Sequence, residues 1–115
     1  MSNVSVNDLI PADLFHPGEH LFDELQARNL TQSAFSKAIG LSASVLNEII
    51  KGKRDISPEI ALKLEEGLGI SAETWMNLQV QYDLDTVRQR HRKQIQESKQ
   101  LNAPRKKTLM KALMS

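Results

Sequence analysis

The feature that most constrains this chain is a series of paired start and stop signals. Thr31, Ser42, Ser57 and Ser71 each stand just ahead of a short apolar-periodic segment, and Gly40, Gly52 and Gly69 each follow one. A Ser or Thr hydroxyl at a helix N-cap accepts a hydrogen bond from a backbone N–H that has no partner within the helix. A glycine past the last turn takes the left-handed conformation that closes the helix, at little steric cost. Between these signals the apolar spacing is helical. Leu21, Phe22, Leu25 and Arg28 follow Pro17; Ala34, Phe35, Ala38 and Ile39 precede Gly40; Val45, Leu46, Ile49 and Ile50 precede Gly52. Ile60, Ala61, Leu64 and Leu68 lead to Gly69, and Trp75, Met76, Leu78, Gln79 and Tyr82 follow Ser71. The pattern predicts an all-α fold of five helices, the first opening at Pro17 and closing near Asn29.

A chain of 115 residues fits one domain with flexible ends. Hydrophobic residues make up 40% of it but aromatic residues only 4%, so a core built mainly from Leu, Ile, Ala and Val is expected. The absence of cysteine excludes a disulfide framework, thiolate metal sites and cysteine nucleophiles, and fits a reducing compartment. No apolar run approaches the roughly 18 residues of a membrane span. The opening residues Met1 to Asn7 lack the basic and apolar regions of a signal peptide. A cytoplasmic location is therefore expected, with no membrane partner. The expected organisation is an N-terminal arm over residues 1–16, a helical domain over 17–84 and a polar, basic extension over 85–115. Within that extension, residues 85–100 read as a solvated helical continuation, broken by Asn102 and Pro104. Arg105, Lys106 and Lys107 then precede Leu109, Met110, Leu113 and Met114, which have helical spacing and no core to join.

The net charge of +1 conceals an asymmetry. Residues 1–50 hold two Lys or Arg against six Asp or Glu, residues 51–84 four against six, and residues 85–115 nine against two. An acidic domain with a basic tail is an unusual balance for a nucleic-acid binder. Two remedies are available to such a binder. Lys51, Lys53 and Arg54 form a local basic patch that a dimer would double, and the tail can supply phosphate contacts that release counterions.

The span from Thr31 to Gly52 carries the most functional information. Two short helices at a tight bend need a small residue in the turn and apolar residues that lock them together. Gly40 supplies the turn; Ala34, Ile39, Leu41, Val45 and Ile50 are expected to supply the lock. In such a unit the second helix enters the DNA major groove, with its N-terminal residues facing base edges. The N-terminus of the first, at Thr31 and Gln32, can meet a phosphate through free N–H groups and the helix dipole. Catalysis finds no support: the acids are dispersed, and neither a Gly-rich phosphate loop nor a nucleophile with an orienting base is present. His16 and His20 have the i, i+4 spacing of metal ligands on a helix but no third ligand nearby, so no metal or cofactor is expected.

The T-Q start at Thr31–Gln32, the G-L turn at Gly40–Leu41 and the closing Gly52 resemble the lambda-repressor-like (XRE) family of helix-turn-helix domains. That resemblance implies that Gln32 lies against the DNA backbone and braces the reading residues. It places Ser42, Ala43 and Ser44 at the entry to the recognition helix, Asn47 one turn further in, and Lys51, Lys53 and Arg54 near phosphates. Many relatives carry a long amide side chain where this chain has Ala43, which offers only apolar contact to a thymine methyl. Direct readout is then sparse and leans on Asn47 and on DNA shape.

A narrower resemblance covers residues 16–84. H-P-G-E, L-T-Q, K-G-K-R, S-P-E-I-A-L-K-L and W-M-N-L-Q-V-Q-Y-D-L look like the HigA (VapI-type) antitoxins of bacterial toxin–antitoxin modules. Membership implies a homodimer on palindromic operator DNA that represses its own operon. It also implies a HigB partner, an mRNA-cleaving toxin of the RelE type, and no small-molecule ligand. Trp75, Leu78, Gln79 and Tyr82 are assigned to the dimer interface, because their helix follows a complete four-helix core. Two other readings stay open on the residues: a stand-alone regulator without a toxin, and an interaction module that keeps the fold but no longer reads DNA.

Overall fold

A computed structural model describes residues 14–101, with side chains as far as Glu97. Residues 1–13 of the expected arm, and everything after Leu101, including Arg105 to Lys107 and the apolar residues Leu109 to Met114, lie outside the described residues. Among those described, all regular structure is helical: α1 (Pro17–Ala27), α2 (Gln32–Ile39), α3 (Ala43–Ile50), α4 (Pro58–Leu68) and α5 (Ala72–Leu101). No helix among them is long and apolar enough to cross a membrane.

The helix boundaries follow from the caps. The Thr31, Ser42 and Ser57 hydroxyls accept from the backbone N–H of Ala34, Val45 and Ile60 at 3.1, 3.1 and 3.3 Å. Ser71 does the same for Thr74 at 3.1 Å. Pro17 and Pro58 occupy the first helical position, where a missing N–H costs nothing. The first helix is capped by an unexpected residue. His16 Nδ1 accepts from the Gly18 N–H at 2.9 Å, so this imidazole belongs to the domain and not to the arm.

Residues 14–83 form one compact body around a core of Leu21, Leu25, Phe35, Ile39, Leu46, Ile49, Ile56, Ala61, Leu64, Leu68, Ala72 and Trp75. Burying each large aliphatic side chain contributes about 1.5–3 kcal/mol. Gly18 lets α1 and α3 meet, because a Cβ on it would lie 1.8 Å from the Ile49 carbonyl oxygen. Residues 84–101 continue α5 as a second unit, in which Arg88 donates to Asp85 at 3.2 Å.

One sequence-based burial assignment, that of Ala34 and Ala38 to the buried face of α2, needs correction. Ala34 and Ala38 are exposed, whereas Phe35, Ser36 and Ile39 are buried. At about 100° per residue, Ala34 and Ala38 lie on the side of Phe35 opposite to Ile39 and Ser36. The buried sector of this short helix therefore runs the other way, and Ala34 is not part of the lock. Ser36 is accommodated because its hydroxyl donates to the Ser33 carbonyl at 2.9 Å. Phe22 is likewise 42% exposed, since Leu21 and Leu25 already fill the inward stripe of α1.

Candidate nucleic-acid interface

The α2–α3 turn is closed from several directions. Gly40 sits at φ 68°, ψ 36° as the C-cap of α2, a left-handed conformation that any other L-residue adopts at a cost. Its N–H and that of Leu41 return to the Lys37 and Ser36 carbonyls at 3.3 and 2.9 Å. Lys63, on α4, donates to the Gly40 carbonyl oxygen at 2.9 Å. That ammonium sits on the negative end of the α2 dipole and fixes the bend from outside the motif. Sequence reading missed Lys63, because nothing local marks a contact spanning 23 positions.

The outer side of the unit carries Thr31, Ser42, Ala43 and Ser44, all exposed. Gln32 and Asn47 are half-buried and meet across the two helices, where Asn47 Nδ2 donates to Gln32 Oε1 at 3.2 Å. This bond fixes both amides: Gln32 keeps its N–H₂ donors free and Asn47 its carbonyl acceptor. The small residues at the start of α3 leave the backbone open to close approach.

Lys51, Lys53 and Arg54 are exposed on the loop between α3 and α4. The loop is tied at both ends by side chains from elsewhere. Ile56 N–H donates to Gln79 Oε1 of α5 at 2.8 Å in a buried setting, and Gln79 Nε2 donates on to Asp83 Oδ1 at 3.0 Å. Gly52, at φ 75°, lies against the His16 ring, and His16 Nε2 stands 3.6 Å from Asp55 Oδ1. The His16 ring meets Tyr82 edge-on, with centroids 4.8 Å apart. His16 is buried and His20 exposed, so the i, i+4 pair does not converge.

The acidic balance of the domain is uneven along the sequence. Residues 25–54 hold five Lys or Arg (Arg28, Lys37, Lys51, Lys53, Arg54) and one acid, Glu48. The remaining acids of the domain fall outside that segment. Asp55, whose side chain is 72% exposed, follows Arg54 directly on the same loop, so an acid borders the basic patch.

The residues expected at a dimer face are divided. Trp75 is 1% exposed and Gln79 3%, so both are interior to the domain, the one as core and the other as partner of Ile56. Leu78 and Tyr82 are half-buried. Val80 is exposed in the compact body, and Leu84, Val87 and Ile95 are exposed in the second unit. Sequence reading passed over them because Trp75 and Tyr82 are the larger hydrophobic signals.

A helix-turn-helix family model matches residues 21–75, which hold the α2–turn–α3 unit and its packing partners. Over 75 residues the chain is 40% identical to virulence-associated protein I of Dichelobacter nodosus, covering 64% of this chain and 69% of that protein. The chain belongs to the XRE helix-turn-helix family, in its HigA and VapI branch. The Pseudomonas aeruginosa antitoxin HigA, solved with the higBA promoter, is 37% identical with a TM-score of 0.67, covering 74% of this chain and 94% of that one. An addiction module antidote protein of the HigA family from Coxiella burnetii gives 30% identity and a TM-score of 0.65, over 72% and 91% of the two chains. In the W-M-N-L-Q segment at Trp75–Gln79, Trp75 and Gln79 are both interior.

Proposed function

We propose that this HigA-type chain is an antitoxin and autorepressor that acts by binding and not by catalysis. In this reading α3 enters the major groove of operator DNA. Ser42, Ala43 and Ser44 approach the bases, Asn47 reads with its free carbonyl, and Gln32 spans from backbone phosphate to Asn47. Thr31 sits beside a phosphate at the N-terminus of α2, while Lys51 and Lys53 meet the phosphates flanking α3 and Arg54 stands beside them in its pair with Glu48. The single observation that carries the reading is the Gln32–Asn47 bond at 3.2 Å. It ties the first turn of α2 to α3, the two elements that this reading sets against the DNA.

The family resemblance supports a homodimer on two half-sites about one DNA turn apart. In that dimer the half-buried Leu78 and Tyr82 fit an interface better than the interior Trp75 and Gln79 do. A HigB-type ribonuclease partner is supported by the same resemblance, and the acidic residues outside the DNA-facing segment suit a basic toxin.

The decisive test is a gel-shift titration of the full chain on the DNA upstream of its own gene, at two salt concentrations, with random duplex as competitor. The expected result is a shift that survives the competitor. A shift abolished equally by random DNA would overturn the repressor reading. In the same assay Lys53→Ala is expected to weaken binding to all duplexes and lower the salt slope by about 0.9. An unchanged slope would remove Lys53 from the interface. The toxin partnership predicts a reading frame for a small basic ribonuclease beside this gene, whose product is expected to co-purify on co-expression; absence of such a frame would favour a stand-alone regulator.

A further inference from the structure

Glu48 is the one acid in the basic segment 25–54, and it stands on α3 directly after Asn47. A carboxylate here faces phosphates if α3 enters a groove, so on charge alone it opposes binding. Its geometry gives it a different role. Glu48 Oε2 accepts from Arg54 Nε at 2.7 Å. The two side chains are 41% and 46% exposed, so the pair is formed at the surface and open to solvent and ligand. The backbone holds the partners in register: Lys53 N–H donates to the Glu48 carbonyl at 2.8 Å, placing Arg54 immediately beyond. Among the described residues Lys51 and Lys53, on the same loop, make no such ion pair. One of the three cations expected at phosphates is therefore already engaged.

We propose that Glu48 determines specificity by holding Arg54 away from indiscriminate phosphate contact. The proposal rests on the DNA-binding reading above. Random-sequence binding is supplied almost wholly by the phosphate term, and each additional cation on a phosphate releases counterions and strengthens it. An unrestrained arginine beside Lys51 and Lys53 would raise that background at every site on a genome. With Glu48 as its partner Arg54 stays along α3, and the paired charges cancel beside the groove. In the operator complex α3 is seated by its own contacts and the pair stays intact, so the restraint falls mainly on the unspecific mode. Specificity is a difference of affinities, and weakening the wrong complex raises it as well as strengthening the right one.

The test is Glu48→Gln in the full chain, compared on the upstream duplex and on random duplex across a salt series. Both positions are at the surface, and circular dichroism verifies that the fold is kept. The expected result is a roughly three- to tenfold gain in random-duplex affinity with a salt slope steeper by about 0.9. The upstream duplex is expected to change by less than about twofold, so the specificity ratio falls. In the double variant Glu48→Gln/Arg54→Gln the gain on random duplex is expected to vanish. Unchanged random-duplex binding in Glu48→Gln would overturn the proposal, as would a gain that persists in the double variant. A loss confined to the upstream duplex would overturn it too, by making Glu48 a direct reader of a cytosine amine. Failure of the parent protein to discriminate the two duplexes would strike the DNA-binding reading itself. A discriminating parent with an indifferent Glu48→Gln strikes this inference alone.

Discussion

The two connections flanking α3 solve the same problem by different means. The α2–α3 turn is three residues long, Gly40 to Ser42, and is held by what lies within it: a left-handed glycine, two returning N–H groups and a serine cap. From elsewhere come the Lys63 ammonium and the core, against which Leu41 packs. The α3–α4 connection runs from Lys51 to Ser57 and bears the basic patch, and its course depends on distant partners. Gln79 takes the Ile56 N–H from 23 positions away, while His16 packs against Gly52 and stands by Asp55. A short turn has few conformations to exclude and can be specified locally. A longer one loses more entropy on ordering, and that loss is offset here by buried polar contacts to α5 and to the N-cap of α1.

Three substitutions break or sharpen this contrast. The largest effect is expected from Gln79→Leu, which leaves the buried Ile56 N–H without an acceptor and removes the donor to Asp83. A loss of about 1–3 kcal/mol in urea unfolding is expected, together with faster amide exchange at Ile56. An Ile56 amide as protected as in the parent would show that the loop holds without α5. Next comes Gly40→Ala. No atom lies within 4 Å of the added Cβ, so the cost is purely that of φ 68° in a residue with a side chain, about 1 kcal/mol. Thermal unfolding checks it, and a stability equal to the parent's would mean that the turn relaxes to another conformation. The smallest effect is expected from Lys63→Met, which keeps the aliphatic stem and removes the charge at the Gly40 carbonyl. A loss of about 0.3–1 kcal/mol that shrinks in high salt is expected. A salt-independent loss would assign the contribution of Lys63 to packing instead.

The two side-chain pairs on the outer face form a similar contrast. Gln32–Asn47 joins two amides in a half-buried position and sets which of their groups remain free. Glu48–Arg54 joins two charges at the surface, where an ion pair contributes little to stability and its consequence lies in what it withholds from a ligand.

Much of the fold is legible in the residues themselves because helix ends are decided over three or four positions. Thr31, Ser42, Ser57 and Ser71 each cap an N–H three residues on, and Gly40, Gly52 and Gly69 each take positive φ just past a helix, as their spacing implies. The span that holds the helix-turn-helix unit is legible for the same reason. Periodicity was weaker on short helices: in the eight residues of α2 it suggested Ala34 and Ala38 as buried, where tertiary packing chose Phe35, Ser36 and Ile39. With two turns of helix, adjacent apolar stripes differ by too little for the pattern alone to decide between them.

What the sequence by itself determined is therefore local: where each helix starts and stops, which glycines turn, and that α3 opens with small residues. What only the tertiary structure decided is pairing at long separation. Lys63 on the Gly40 carbonyl, Gln79 on Ile56, His16 between Gly52 and Tyr82, and the interior place of Trp75 leave no mark in neighbouring residues. The physical reason is that a cap is a contact between near neighbours whose geometry the helix itself fixes. A lysine, glutamine or histidine instead finds its partner only when whole helices have packed, and many surfaces could have received it.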